Sequence, residues 1–202
     1  MSVKKDTAHS VFQRLLHHAK ERNEDFNLLL VRYGVERFLY RIGISQYRDN
    51  FVLKGASLFI IWKGYNYRVT RDIDLLASNA PEDLDSISEI FRKLCSFTTI
   101  DTDGMQFDPA SIKTEEIREE KQYTGIRIKL LGFLKQARVP MQIDIGFGDA
   151  VTPPPEEIQY PVILPDSLQP WLKAYPRYTF VAEKIEAMVH LGLVNSRMKD
   201  FF

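Results

Sequence analysis

The stretch Phe51–Ala77, FVLKGASLFIIWKGYNYRVTRDIDLLA, decides how this chain is read. It opens as an apolar run, breaks at Gly55-Ala56-Ser57 and continues as a short helix-like segment over Leu58–Trp62. After a turn it returns as a β-rich run carrying Asp72 and Asp74 one residue apart. Successive side chains of a strand alternate between faces, so Asp72 and Asp74 project together while Ile73 and Leu75 enter the core. Two carboxylates about 6–7 Å apart on one face suit a hard divalent cation with oxygen ligands. A small-residue break that opens a helix leaves backbone N–H groups unpaired, a common way of holding phosphate. A phosphate cradle beside a carboxylate pair points to metal-assisted chemistry on a nucleoside triphosphate.

Neither element is specific alone, since Asp-x-Asp pairs abound in turns and helix caps. The apolar bracket of Ile73, Leu75 and Leu76 adds the weight, because it sets the carboxylates on a buried strand. Ionised groups at the edge of a core need partners, and a metal is one of them. Arg68 and Arg71 offer the other, a structural salt bridge, and the residues leave both open.

Lys54-Gly55-Ala56-Ser57, followed by Arg68-x-Thr70-x-Asp72-Ile73-Asp74-Leu75, resembles the AbiEii/AbiGii toxin family of nucleotidyltransferases, within the DNA polymerase β superfamily. The resemblance runs over nearly the whole chain. FNLLLVRYGVERFLYRIGISQYRDNFVLKG is similar to the family's leading helix and first strand. Ala182-Glu183-Lys184-Ile185-Glu186-Ala187 and Ser196-Arg197-Met198-Lys199-Asp200-Phe201 resemble its later motifs. The superfamily usually carries Gly-Ser or Gly-Gly where this chain has Gly55-Ala56, with the serine one place later. The resemblance implies an α+β fold: a polymerase β-like nucleotidyltransferase core with a mixed, largely antiparallel sheet, N-terminal helices and the start of a C-terminal helical region. A helical region usually follows in related proteins, so it also implies a shortened chain with a partly formed last motif.

The bulk numbers fit one large domain or a domain with a helical appendage. There are 202 residues, 45% hydrophobic and 12% aromatic, enough for a core. Formal charge is zero, so an RNA-binding face would have to be a local patch. Cys95 is the single cysteine, which excludes an internal disulfide framework; its setting reads as a buried small hydrophobe. With no signal-peptide core and no run of 18 apolar residues, the chain reads as soluble and cytoplasmic.

In chain order, a first helix is expected over Thr7–Lys20 and a stronger one from Asp25 to Ile42. Arg32, Glu36, Arg37 and Arg41 of the second read as a solvated face, with an RNA-facing surface as the alternative. A helix over Glu82–Ser96 opens with Pro81 suited to its first position. Strands are expected over Gly104–Lys113, Tyr123–Phe133 and Val139–Gly146. In the last, alternation sends Met141, Ile143 and Ile145 one way and Gln142 and Asp144 the other, making Asp144 a candidate third carboxylate. A polar strand face meeting water is the plainer reading of Asp144, and Asp149 reads as a turn residue.

Seven of the ten prolines fall between Pro153 and Pro176, which predicts an extended crossing with at most a short edge strand at Val162–Leu164. A final helix begins at Thr179 and runs to about Leu193, with Lys184 inside its apolar stripe beside Phe180 and Met188. Snorkelling would explain that lysine. The division expected is residues 1–50 as a helical segment on the core, 51–150 as the nucleotidyltransferase core, 151–178 as the crossing and 179–202 as the final helical part.

The expected activity is transfer of a nucleoside monophosphate from an NTP to an acceptor hydroxyl, on tRNA or another RNA. Asp72, Asp74 and Asp144 would hold Mg2+ or Mn2+, and Asp144 would help take the hydroxyl proton. Lys54, Gly55, Ala56, Ser57 and Thr70 would bind the triphosphate. The resemblance implies that Lys184 contacts triphosphate oxygens and that Asp200 supports catalysis. It also implies a bacterial toxin restrained by a separate antitoxin, with no membrane partner. Alternatives are a small-molecule (antibiotic-type) nucleotidyltransferase and a non-catalytic nucleotide-binding regulator on the same fold.

Overall fold

The computed structural model describes residues 7–64, 72–97, 103–119 and 122–191. Helices α1 (Thr7–Arg22) and α2 (Phe26–Ile44) lead into strand β1 (Phe51–Lys54), a 3-10 turn at Gly55–Ser57 and helix α3 (Leu58–Lys63). Strand β2 (Asp72–Ala77) and helix α4 (Leu84–Cys95) follow. Then come β3 (Met105–Glu119), β4 (Gln122–Leu134), β5 (Ala137–Gly146), β6 (Glu156–Gln159), β7 (Trp171–Ala174) and α5 (Arg177–Leu191). The strands form one seven-stranded sheet in the order β3-β4-β5-β2-β1-β7-β6. The β2–β5 and β1–β7 pairs are parallel and the other four antiparallel, so the sheet is mixed, as expected.

Strand alternation gives this sheet two unlike faces. Leu53, Ile73, Leu75, Ile126, Ile128, Ile143 and Ile145 are all at most 2% exposed and form the apolar floor. Against it lies α2, whose Gly34 lets the helix approach β5 closely: a Cβ there would stand 2.8 Å from a Val139 methyl carbon. Phe38 of α2 stacks on Phe91 of α4 at 5.8 Å and meets Phe107 edge-on at 5.1 Å, locking helices to sheet. Cys95 is buried in this layer.

Helix α2 corrects one expectation. Arg32, Glu36, Arg37 and Arg41 do not form a solvated or RNA-facing surface; all four are buried, with 2–7% exposure. The helix is covered on every side, so its charges are neutralised inside the protein. Arg41 donates two hydrogen bonds to the Asp103 carboxylate, at 2.9 and 3.2 Å, and another to the Met105 carbonyl. Glu36 accepts from the Ile163 backbone N–H at 2.7 Å and lies 2.7 Å from the Arg37 guanidinium. Burial pushes the Glu36 carboxyl up to about 7, against the pull of Arg37. Periodicity counts apolar residues and cannot see a buried ion pair.

The proline-rich region is corrected too. Val162–Leu164 is a loop, with Ile163 and Leu164 packed inward. The strands are β6 and β7, and β7 stands within the sheet between β1 and β6. Trp171–Ala174 is proline-free between Pro170 and Pro176, so its backbone N–H groups are intact for pairing on both sides. Smaller shifts follow the caps: α4 begins at Leu84 because the Asp83 carboxylate accepts the Ser86 N–H at 2.8 Å.

Candidate active site

The other sheet face carries the chemistry. β2 runs parallel to β5 in a register that sets Asp74 beside Asp144 and Asp72 beside Gln142. Neighbouring strands lie about 4.8 Å apart, so the Asp74 and Asp144 backbones are that close. The three acids expected from sequence therefore share one face. Their row continues in both directions: Lys54 of β1 pairs with Asp74, Arg127 of β4 with Asp144, and Glu115 of β3 with Arg127. Five strands thus present Lys54, Asp74, Asp144, Arg127 and Glu115 in a line.

Asp74 is the most constrained of these. Gly55 sits against it with φ +70°, and a Cβ on that glycine would fall 2.0 Å from a carboxylate oxygen. Only glycine permits this approach and this backbone angle. Burial, then the Asp144 and Asp72 charges, push the Asp74 carboxyl up to about 6, opposed by Lys54 and by the Ala56 backbone N–H. The glycine break is therefore the seat of Asp74. Ser57 is fully buried, and its hydroxyl donates to the Asp72 carbonyl at 3.4 Å. In this arrangement it ties the turn to β2.

Asp144 is clasped by Arg127, whose Nε and Nη2 donate to the two carboxylate oxygens at 2.8 and 2.7 Å. That hydrogen-bonded carboxylate raises the Arg127 pKa further. Gln142 adds a donor at 3.3 Å. The salt bridge that Arg68 or Arg71 could make to Asp72 and Asp74 lies outside the described residues; the arginine that holds Asp144 comes from β4. No local pattern announces that pair, because the link is a cross-strand register.

Lys54 belongs to a second cluster. Its ammonium donates to Asp149 at 2.6 Å and lies 3.5 Å from Glu183 of α5 and 5.6 Å from the Tyr175 ring centre. Burial pulls its pKa down, but the Asp149 hydrogen bond and the two acidic charges outweigh that and leave it raised. Asp149 also accepts from the Tyr175 hydroxyl at 3.1 Å, so it is more than the turn residue expected. Phe180 of α5 packs edge-on against Phe59 and Trp62 of α3, at 5.1 and 5.3 Å. These contacts dock α5 beside the Gly55 turn. Lys184 lies on that helix, its ammonium 5.8 Å from the Phe180 ring centre. Thr70 and Asp200 lie outside the described residues, as does the end of the last helix expected beyond Leu191.

An all-carboxylate donor set fits a hard divalent cation in charge and chemistry. It is not arranged as a closed cage. Among the described residues no three His, Cys, Asp or Glu side chains stand ready to hold a metal ion, since Asp144 faces Arg127.

Residues 37–202 match the family model described as the AbiEii nucleotidyl transferase toxin of type IV toxin–antitoxin systems, and the chain belongs to that family. No functionally curated protein matches the sequence. Two solved structures overlay on it. One is a protein from H. pylori described as a candidate nucleotidyltransferase, at 12% identity and TM-score 0.46, covering 85% of this chain and 58% of its own. The other is JHP933 from Helicobacter pylori, at 12% identity and TM-score 0.44, covering 85% and 56%. The chain thus spans under three-fifths of the length of these structures. No helix among the described residues is long and apolar enough to cross a membrane.

Proposed function

We propose that this chain transfers a nucleoside monophosphate from an NTP to an acceptor hydroxyl on tRNA or another RNA, as a cytoplasmic toxin countered by a separate antitoxin. The observation that carries the proposal is the convergence of Asp72, Asp74 and Asp144 on one sheet face, with Asp74 and Asp144 in register. Asp72 and Asp74 would hold Mg2+ or Mn2+, with Asp144 as the third ligand. When bound, the metal supplies positive charge to the reacting phosphate and the departing pyrophosphate.

The chain's own residues do the rest. Gly55 and Ala56 bring backbone close to the carboxylates, where the β- and γ-phosphates would lie. Asp144 accepts the proton of the attacking hydroxyl as its oxygen bonds to the α-phosphorus. The bond from the α-phosphorus to the bridging oxygen breaks, and its electron pair leaves with pyrophosphate. Lys184 of α5 would offset the charge that builds there. Thr70 and Asp200 complete the proposed phosphate contacts and catalytic support.

The test is metal-dependent transfer of labelled NTP to bulk RNA. Asp72→Ala should abolish product while keeping the wild-type melting curve; full activity in that variant refutes the assignment. The Arg127 clasp favours one second reading, a nucleotide-binding regulator without catalysis. It requires NTP binding by calorimetry with no product under any divalent metal.

A further inference from the structure

We propose that Arg127 is an internal counter-ion that occupies Asp144 and must give it up before a divalent cation can use that carboxylate. The inference rests on the metal-binding reading of Asp72, Asp74 and Asp144 given above. Both oxygens of Asp144 are engaged by the Arg127 fork, at 2.8 and 2.7 Å, so neither is open to a cation without competition. Such bidentate pairs are strong and geometrically specific. Both partners are accessible enough to exchange: the Arg127 side chain is 34% exposed and that of Asp144 22%. Arg127 also has somewhere to go. In register it stands between Asp144 on β5 and Glu115 on β3, so one rotation of a long side chain trades one carboxylate for another. Glu115 already holds Lys129 at 2.8 Å on the same face.

Such an arrangement keeps three mutually repelling acids from standing together without compensation. It also couples cation binding to release of a guanidinium at the centre of the site. Arg127 acts through Asp144 and is therefore a positioning residue.

The experiment is titration of the full chain with Mn2+ alone, followed by calorimetry, with thermal melting to confirm that each variant folds. Arg127→Gln should tighten Mn2+ binding roughly tenfold, because a positive charge and a competing ligand are both removed. Arg127→Lys, which keeps the charge and loses the fork, should fall between Gln and wild type. Lys113→Gln removes an exposed charge on the same sheet face that pairs with neither Asp144 nor Glu115, and should leave the affinity near wild type. Equal affinity for wild type and Arg127→Gln overturns the proposal while leaving the metal site standing. Equal tightening by Lys113→Gln also overturns it, since a general field would then explain the effect. No Mn2+ binding by any variant overturns both this proposal and the metal-binding reading beneath it.

Discussion

Gly55→Ala is the sharpest perturbation available, because the structure sets both of its costs. The added Cβ would stand 2.0 Å from Asp74 Oδ2, 2.6 Å from its Cγ and 2.7 Å from its Cβ. An ordinary contact starts at 3.4 Å, so the carboxylate must retreat about 1.4 Å. Displacements of about 1 Å at a reacting centre cost on the order of a hundredfold in rate. Backbone strain at φ +70° adds about 1–3 kcal/mol, and forced repacking another 1–3 kcal/mol. Gly64→Ala separates the two costs. Gly64 has φ +74°, yet among the described residues nothing lies within 4 Å of its added Cβ, so it carries strain without collision. Melting curves should place Gly55→Ala several degrees below Gly64→Ala, given about 2–4 °C per kcal/mol for a chain of this size. The transfer assay should show Gly64→Ala active and Gly55→Ala reduced at least about a hundredfold. A Gly55→Ala protein that melts with Gly64→Ala and transfers nucleotide at nearly the wild-type rate would refute the claim that this glycine seats Asp74.

Other consequences are open to direct measurement. Asp74 holds its proton more tightly folded than unfolded, so its contribution to stability is full below about pH 4 and is lost as pH rises to about 6. Asp74→Asn should therefore be more stable than wild type at pH 8, by up to about 3 kcal/mol, with the gap closed at pH 4 in urea unfolding. Glu36 has the same sign in a higher window, lost as pH rises from about 4.5 to about 7, so Glu36→Gln should flatten the fall in melting temperature across that range. Arg41→Met strands the Asp103 carboxylate and should cost about 3–5 kcal/mol by chemical denaturation. Phe38→Ala removes both ring contacts that lock α2 to α4 and β3, and should cost a similar 3–5 kcal/mol without changing the residual transfer per folded molecule.

Much of the framework is legible in the residues. The apolar run at β1, the break at Gly55 and the alternation of β2 and β5 are local patterns, and they correctly sent Asp72 and Asp74 one way and Ile73 and Leu75 the other. What misled was also local. The charges of α2 look solvated because nothing in their spacing reveals Asp103 or the Ile163 N–H waiting across the fold. The prolines between 153 and 176 look hostile to a sheet, yet they flank β6 and β7 without interrupting them.

The sequence by itself determined which face of each strand a carboxylate takes, since alternation is fixed by the geometry of an extended backbone. Only the tertiary structure decided which strands lie side by side and in what register. That choice brought Asp144 next to Asp74, gave Asp144 to Arg127, and joined Lys54 to Asp149 and Glu183. Hydrogen-bond ladders between strands distant in the chain set those neighbours, and a shift of one residue would turn every side chain of the row to the opposite face.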